Sequence, residues 1–126
     1  MTANRARRQA KLARLATSPA AMLYDGSKGV FLSATLPLVG KAPSDLTEWL
    51  NLLSPDSVCD AHRKYVEAGS RVIQTNSFNG NRFRLRSFEM EDRVTEINAV
   101  AAHLARGAAG AGDGSAVAVG VRPAFP

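Results

Sequence analysis

Cysteine is nearly absent: Cys59 is the only one among 126 residues. An internal disulfide is therefore excluded, and Cys59 has no CxxC or adjacent-cysteine companion for a metal centre or redox couple. A reducing cytoplasm is the default setting for such a chain. Long apolar runs are missing as well. None approaches the roughly 18 residues that span a bilayer, so no membrane role is expected. Acidic residues are missing from one region: residues 1–20 carry Arg5, Arg7, Arg8, Lys11 and Arg14 but no Asp or Glu. The formal charge of +5 and the pI near 10.0 arise from this tail, because the remainder holds 11 basic and 11 acidic residues. A neutral body implies no basic face, and no nucleic-acid partner is expected. The tail lacks the apolar core of a secretory signal. An arginine-rich targeting helix is the alternative to a disordered basic extension, and the extension is preferred because short isolated helices are marginal.

What is present alternates between strand and helix patterns. "AMLY", Ala21–Tyr24, is a short apolar run stopped by Asp25-Gly26 and reads as a strand ending in a turn. Residues 27–43 look irregular. "SDLTEWLNLL", residues 44–53, offers Ser44 as a cap and Leu46, Trp49, Leu50 and Leu53 at helical spacing. The clearest helix follows. Ser54 suits the cap, Pro55 the first helical position, and Asp56 the positive end of the dipole. Val58, Ala61, His62, Tyr65 and Val66 line one face, and Gly69 suits a left-handed terminus. "RVIQT", residues 71–75, predicts a second strand. A helix is predicted over about 91–106, with Val94, Ile97, Asn98, Ala101, Leu104 and Ala105 on its buried face. "GAAGAGDGS" reads as a flexible linker, and "AVAVGV", residues 116–121, as a third strand. The pattern is α/β with a parallel sheet, βαβαβ, preceded by a tail at residues 1–20.

In such sheets ligands sit at the carboxyl ends of the strands. Two loops leave strands there: "DGSKG" and "TNSFNGN". Asp25 can accept hydrogen bonds from a ligand ammonium group, and Gly26 lets a ligand approach the backbone. The same dipeptide is also a default turn, and composition favours that simpler account. Thr75, Asn76 and Ser77 carry amide and hydroxyl groups suited to a small polar ligand, or to a capped strand-to-helix connection. His62, on an apolar face, reads as a packed, hydrogen-bonded histidine, and His103 as solvated. Cys59 reads as an inert structural thiol. Arg82, Arg84 and Arg86 alternate with Phe83, Leu85 and Ser87 and read as a solvated basic face. "DGSKG" is too short and wrongly spaced for a P-loop, so nucleotide binding is excluded.

Taken in order, "LYDGSKGVFL", "LLSPDSVCDAHRKYVEAGSRVIQTNSFNGNRFRL" and "MEDRVTEINAVAAHLAR" resemble the start of the homocysteine S-methyltransferases. That family includes the homocysteine domain of cobalamin-dependent methionine synthase and the betaine–homocysteine methyltransferases. The matching positions are Asp25-Gly26 and Gly29, Val58, His62, Tyr65, Ala68-Gly69, Thr75–Phe78, Asn81-Arg82, Leu85, Glu91-Asp92, Val94 and Asn98. The resemblance covers roughly residues 20–121. It implies the N-terminal βαβαβ part of a (β/α)8 TIM barrel, incomplete in this chain, so that residues 21–126 form the first three strands of a homocysteine-binding domain. It implies methyl transfer to the homocysteine thiol, giving methionine, with homocysteine and a methyl donor as partners. It also implies that Asp25, Gly26, Thr75 and Asn76 lie at the homocysteine end and grip the amino-acid portion of the substrate.

Departures from the family pattern set further expectations. A complete barrel takes about 250 residues. The family binds zinc through three cysteine thiolates that lie later in its barrel, and Cys59 is not at their position. No metal or other cofactor is therefore expected in this chain, and zinc is expected in the full-length family. Lys28 replaces a residue that is commonly apolar. The chain reads as the first part of a methyltransferase, inactive alone. The alternative is a non-catalytic remnant or split-protein part that folds by association through open sheet edges.

Overall fold

The β-branched run after Gly69 forms the centre of a small parallel sheet in a computed structural model that describes residues 2–35, 46–111 and 116–120. Gly69 takes φ +107°, a region that L side chains rarely adopt, and so releases the chain from a helix into β1 (Val72–Gln74). β1 pairs in parallel with β2 (Val117–Val119), with Val72 opposite Val117 and Gln74 opposite Val119. The parallel sense agrees with the sequence reading. The expected strand at residues 21–24 does not: it contracts to a single parallel bridge between Tyr24 and Val72. Its backbone still runs beside β1, with Arg71 N donating to Leu23 O (2.8 Å) and Asp25 N to Val72 O (2.9 Å). Leu23 and Tyr24 are 59% and 55% exposed, so neither has a covering surface to hold the run in a longer ladder. The fold is thus mixed α/β with two parallel strands in an open sheet. The barrel rests on the family resemblance.

The helices differ from the sequence reading mainly at their ends. Residues 3–16, expected within a disordered extension, form α1 (Ala3–Ala16), which buries no residue. Lys11 Nζ of this helix donates to Ala116 O at 2.6 Å. Part of the stretch expected to be irregular forms α2 (Gly29–Ser33), with Leu32 buried. The cap assigned to Ser44, residue 121 of the expected third strand and residues 112–115 of the expected linker lie outside the described residues. A 3₁₀ turn, Thr47–Trp49, leads into α3 (Leu50–Leu53). α4 (Pro55–Glu67) starts at Pro55 as expected and buries Val58, Ala61 and His62. Ser54 caps it differently from expectation: its backbone oxygen accepts from Ser57 N, and its hydroxyl pairs with Ser57 Oγ (2.7 Å) instead of an orphan amide.

The arginine-rich stretch is helical as α5 (Arg82–Arg86), capped by Asn81 Oδ1 accepting from Arg84 N (3.0 Å). Arg82 and Arg86, four apart, share a face and are exposed, in keeping with a solvated basic face, while Arg84 is half-buried. A 3₁₀ turn, Glu91–Arg93, precedes α6 (Val94–Gly110). α6 outruns its predicted end by four residues. Gly107 and Gly110 cost helix propensity, but Ala108 and Ala109 are buried, and Ala109 packs with Ile73, Ala105 and Ala116. Small side chains let the last turn lie close to the sheet, and that burial offsets the glycines. Elsewhere Leu32, Leu50, Val58, Ala61 and Leu104 pack together, as do Leu46, Leu85 and Ile97.

Candidate functional site at the strand ends

β1 has two hydrogen-bonding edges. Arg71 and Thr75 face β2, since Val117 N donates to Arg71 O and Thr75 N to Val119 O, both at 2.9 Å. Val72 and Gln74 face the other way, towards the segment before Asp25. There Val72 O accepts from Asp25 N, and the next free amide, Gln74 N, donates to Asp25 Oδ2 at 3.0 Å. The carboxylate extends the ladder by one step just where the backbone leaves it for the turn. This bond fixes Asp25 beside Gln74, at the carboxyl end of β1.

Asp25 is 6% exposed. Its Oδ2 also accepts from Lys28 Nζ in a close buried ion pair. Its Oδ1 is buried without a hydrogen-bond partner among the described residues. Lys28 Nζ lies 6.0 Å from the centroid of the Tyr65 ring. Tyr65 crosses the loop from α4, donates from Oη to Ser27 O (3.1 Å) and meets Phe31 edge-on, with centroids 5.9 Å apart. A Cβ on Gly26 would stand 2.8 Å from Tyr65 Oη. The close approach that requires glycine here is therefore made by Tyr65.

The second loop is held by buried amides. Thr75 Oγ1 and Ser77 Oγ share a hydrogen bond of 2.6 Å, and Gly80 N donates to Ser77 O to close the turn. Asn76 is bonded to the stretch before α4: its Nδ2 donates to Thr47 O and to Asn51 Oδ1, both at 3.0 Å. Asn51 Nδ2 returns a bond to Asn76 O at 2.8 Å. Glu48 Oε1 accepts from Asn79 N (2.9 Å), and Asn98 Nδ2 donates to Gly80 O (2.6 Å). The sequence reading missed Glu48 and Asn51. Both lie between the leucines of a helical stretch, where polar residues ordinarily face water, and only the folding of the 75–80 loop over them makes them interior.

His62 is packed as expected but not hydrogen-bonded as expected. It is fully buried, and neither ring nitrogen has a partner among the described residues. Burial first, and the charge of Lys28 second, lower its pKa to about 4, so the ring is neutral at pH 7. His103 is exposed, and Cys59 is half-buried with a free thiol. Among the described residues no group of three or more His, Cys, Asp and Glu side chains can hold a metal ion. No helix among them is long and apolar enough to cross a membrane.

Residues 22–124 match the family model described as homocysteine S-methyltransferase. The chain is 32% identical over 87 residues to the methionine synthase of Mycobacterium tuberculosis, an alignment covering 68% of this chain and 7% of that protein. It is 32% identical over 79 residues to the methionine synthase of Mycobacterium leprae, covering 61% of this chain and 7% of that protein. The matched region is thus a small part of either relative's length. With the matched span enclosing the bridge at Tyr24, both strands and the two loops at their ends, the chain belongs to the homocysteine S-methyltransferase family.

Proposed function

We propose that this chain contributes the amino-acid-gripping strand ends of an enzyme that methylates the homocysteine thiol to give methionine. One observation supports the reading: Gln74 N holds the Asp25 carboxylate at the carboxyl end of β1, where the second loop begins, in a chain of this family. Asp25 would accept the substrate ammonium group, while Gly26 and Thr75 offer backbone and hydroxyl groups beside it. Asn76 would act by holding the second loop through Asn51. The residues described do not fit the family's zinc, because Cys59 and His62 on α4 have no third ligand. Thiol activation is assigned to none of them.

Purified chain should therefore form no methionine from homocysteine with a panel of methyl donors, and should hold no stoichiometric zinc by elemental analysis. Methionine, or one zinc per chain, would show that these residues suffice and would overturn this division of labour. Within an active enzyme carrying this region, Asp25→Asn should raise the homocysteine KM at least 10-fold; an unchanged KM would remove Asp25 from the substrate site.

A second reading is a part that works by association with another chain. It is favoured by the outer edge of β2, which pairs with no further strand among the described residues. Val117 and Val119 point their backbone groups at β1, so Ala118 points its own outward.

A further inference from the structure

The Asp25 carboxylate can receive one ammonium group at Oδ2, and a lysine from its own loop is already there. Both side chains are closed off, Lys28 at 8% exposure and Asp25 at 0%. Three features hold the lysine in place. Its backbone oxygen accepts from Leu32 N (2.9 Å) at the start of α2. The Tyr65 ring lies near its ammonium, and the Tyr65 hydroxyl is tied to Ser27 O. Lysine is seldom buried unless it is paired, and here the pairing partner is the residue best placed to receive a ligand amine. The carboxylate is only half used. Oδ1 is buried and has no hydrogen-bond donor among the described residues, and buried carboxylate oxygens are ordinarily hydrogen-bonded.

We propose that Lys28 is a specificity-determining residue whose ammonium occupies the place a ligand's ammonium would take on Asp25. An α-amino acid then binds there only by displacing Lys28. The inference rests on the reading of Asp25 as the amine acceptor. Two ammonium groups within a few ångströms of each other repel inside a desolvated pocket, so lysine and ligand compete for the carboxylate. A free ammonium has three donors and can bridge Oδ1 and Oδ2 together.

The test is titration of the wild-type chain, Lys28→Met and Lys28→Met/Asp25→Asn with ethylammonium and, separately, with homocysteine, followed by NMR. Lys28→Met should bind ethylammonium at least 10-fold more tightly than wild type, and the added Asp25→Asn should abolish the gain. Failure of a folded Lys28→Met chain to bind ethylammonium overturns the proposal. So does wild-type chain that binds homocysteine as tightly as Lys28→Met, an outcome that leaves the homocysteine reading standing. A gain for ethylammonium with no preference for homocysteine upholds the role of Lys28 and overturns the homocysteine reading. Should Lys28→Met not fold, ¹³C-lysine spectra of wild type carry the same test. High ethylammonium should move the Lys28 Cε resonance towards that of free lysine in water, and an unmoved resonance overturns the proposal.

Discussion

Asn51 and Asn76 are joined twice: Asn76 Nδ2 donates to Asn51 Oδ1 at 3.0 Å, and Asn51 Nδ2 donates to the Asn76 carbonyl at 2.8 Å. Asn51 is 1% exposed and also donates to Ile97 O at 3.4 Å. One residue on α3 thus ties the loop after β1 to α6. Asn51→Ala leaves the Asn76 carbonyl without this donor and its amide without this acceptor. The expected loss is about 2–3 kcal/mol, since orphaned buried polar groups cost about 1–3 kcal/mol each. Urea unfolding measures it, and a change within about 0.5 kcal/mol would mean the loop is held by other contacts.

His62 gives stability a pH dependence. Its folded pKa of about 4 lies below the ordinary 6.5. Between those values the unfolded chain takes up a proton that the folded chain refuses. Stability contributed by the neutral ring is full above 6.5, falls as pH falls through the window and levels off below about 4. The total is on the order of 3 kcal/mol. His62→Leu should flatten this part of the profile in denaturation series run between pH 4 and 7.5. An identical slope in the variant would assign the dependence elsewhere.

Gly26→Ala sets a Cβ 2.8 Å from Tyr65 Oη. The ring is also packed against Phe31, so relief requires it to swing and give up its bond to Ser27 O. Overpacking of this kind costs about 1–3 kcal/mol. Combining the change with Tyr65→Phe removes the clashing oxygen and should restore part of the loss. Strictly additive effects in the double variant would argue against the contact.

Lys11 covers the outer edge of β2. Ala116, like Ala118, points its carbonyl away from β1, and Lys11 Nζ covers it at 2.6 Å. Charged side chains at a sheet edge discourage pairing with other chains. Lys11→Leu should raise the dimer or aggregate fraction in light scattering at matched concentration. A monodisperse variant would show that α1 is not a guard.

The sequence carried those features that depend on local chemistry. Helical spacing fixed the buried face of α4, Pro55 its start and Gly69 its end, because a helix face and its termini are written in neighbouring residues. The order of strand-end motifs was enough to place the chain in its family. The ends of α6 and the shortness of the first strand were not legible. Each depends on what covers the segment: Ala108 and Ala109 are buried, while Leu23 and Tyr24 are exposed.

Asp25 shows where sequence stops. Its position after an apolar run made it a candidate for holding an amine, and residue type alone supports that. Whether its carboxylate is open to a ligand depends on the Lys28 side chain, three residues away, and on the Gln74 amide, 49 residues away. Lys28 stays on Asp25 because Tyr65, from a different helix, closes the loop around it. A charge's partner is set by distance in space and by exclusion of water, and for residues brought together from separate elements only the folded chain decides either.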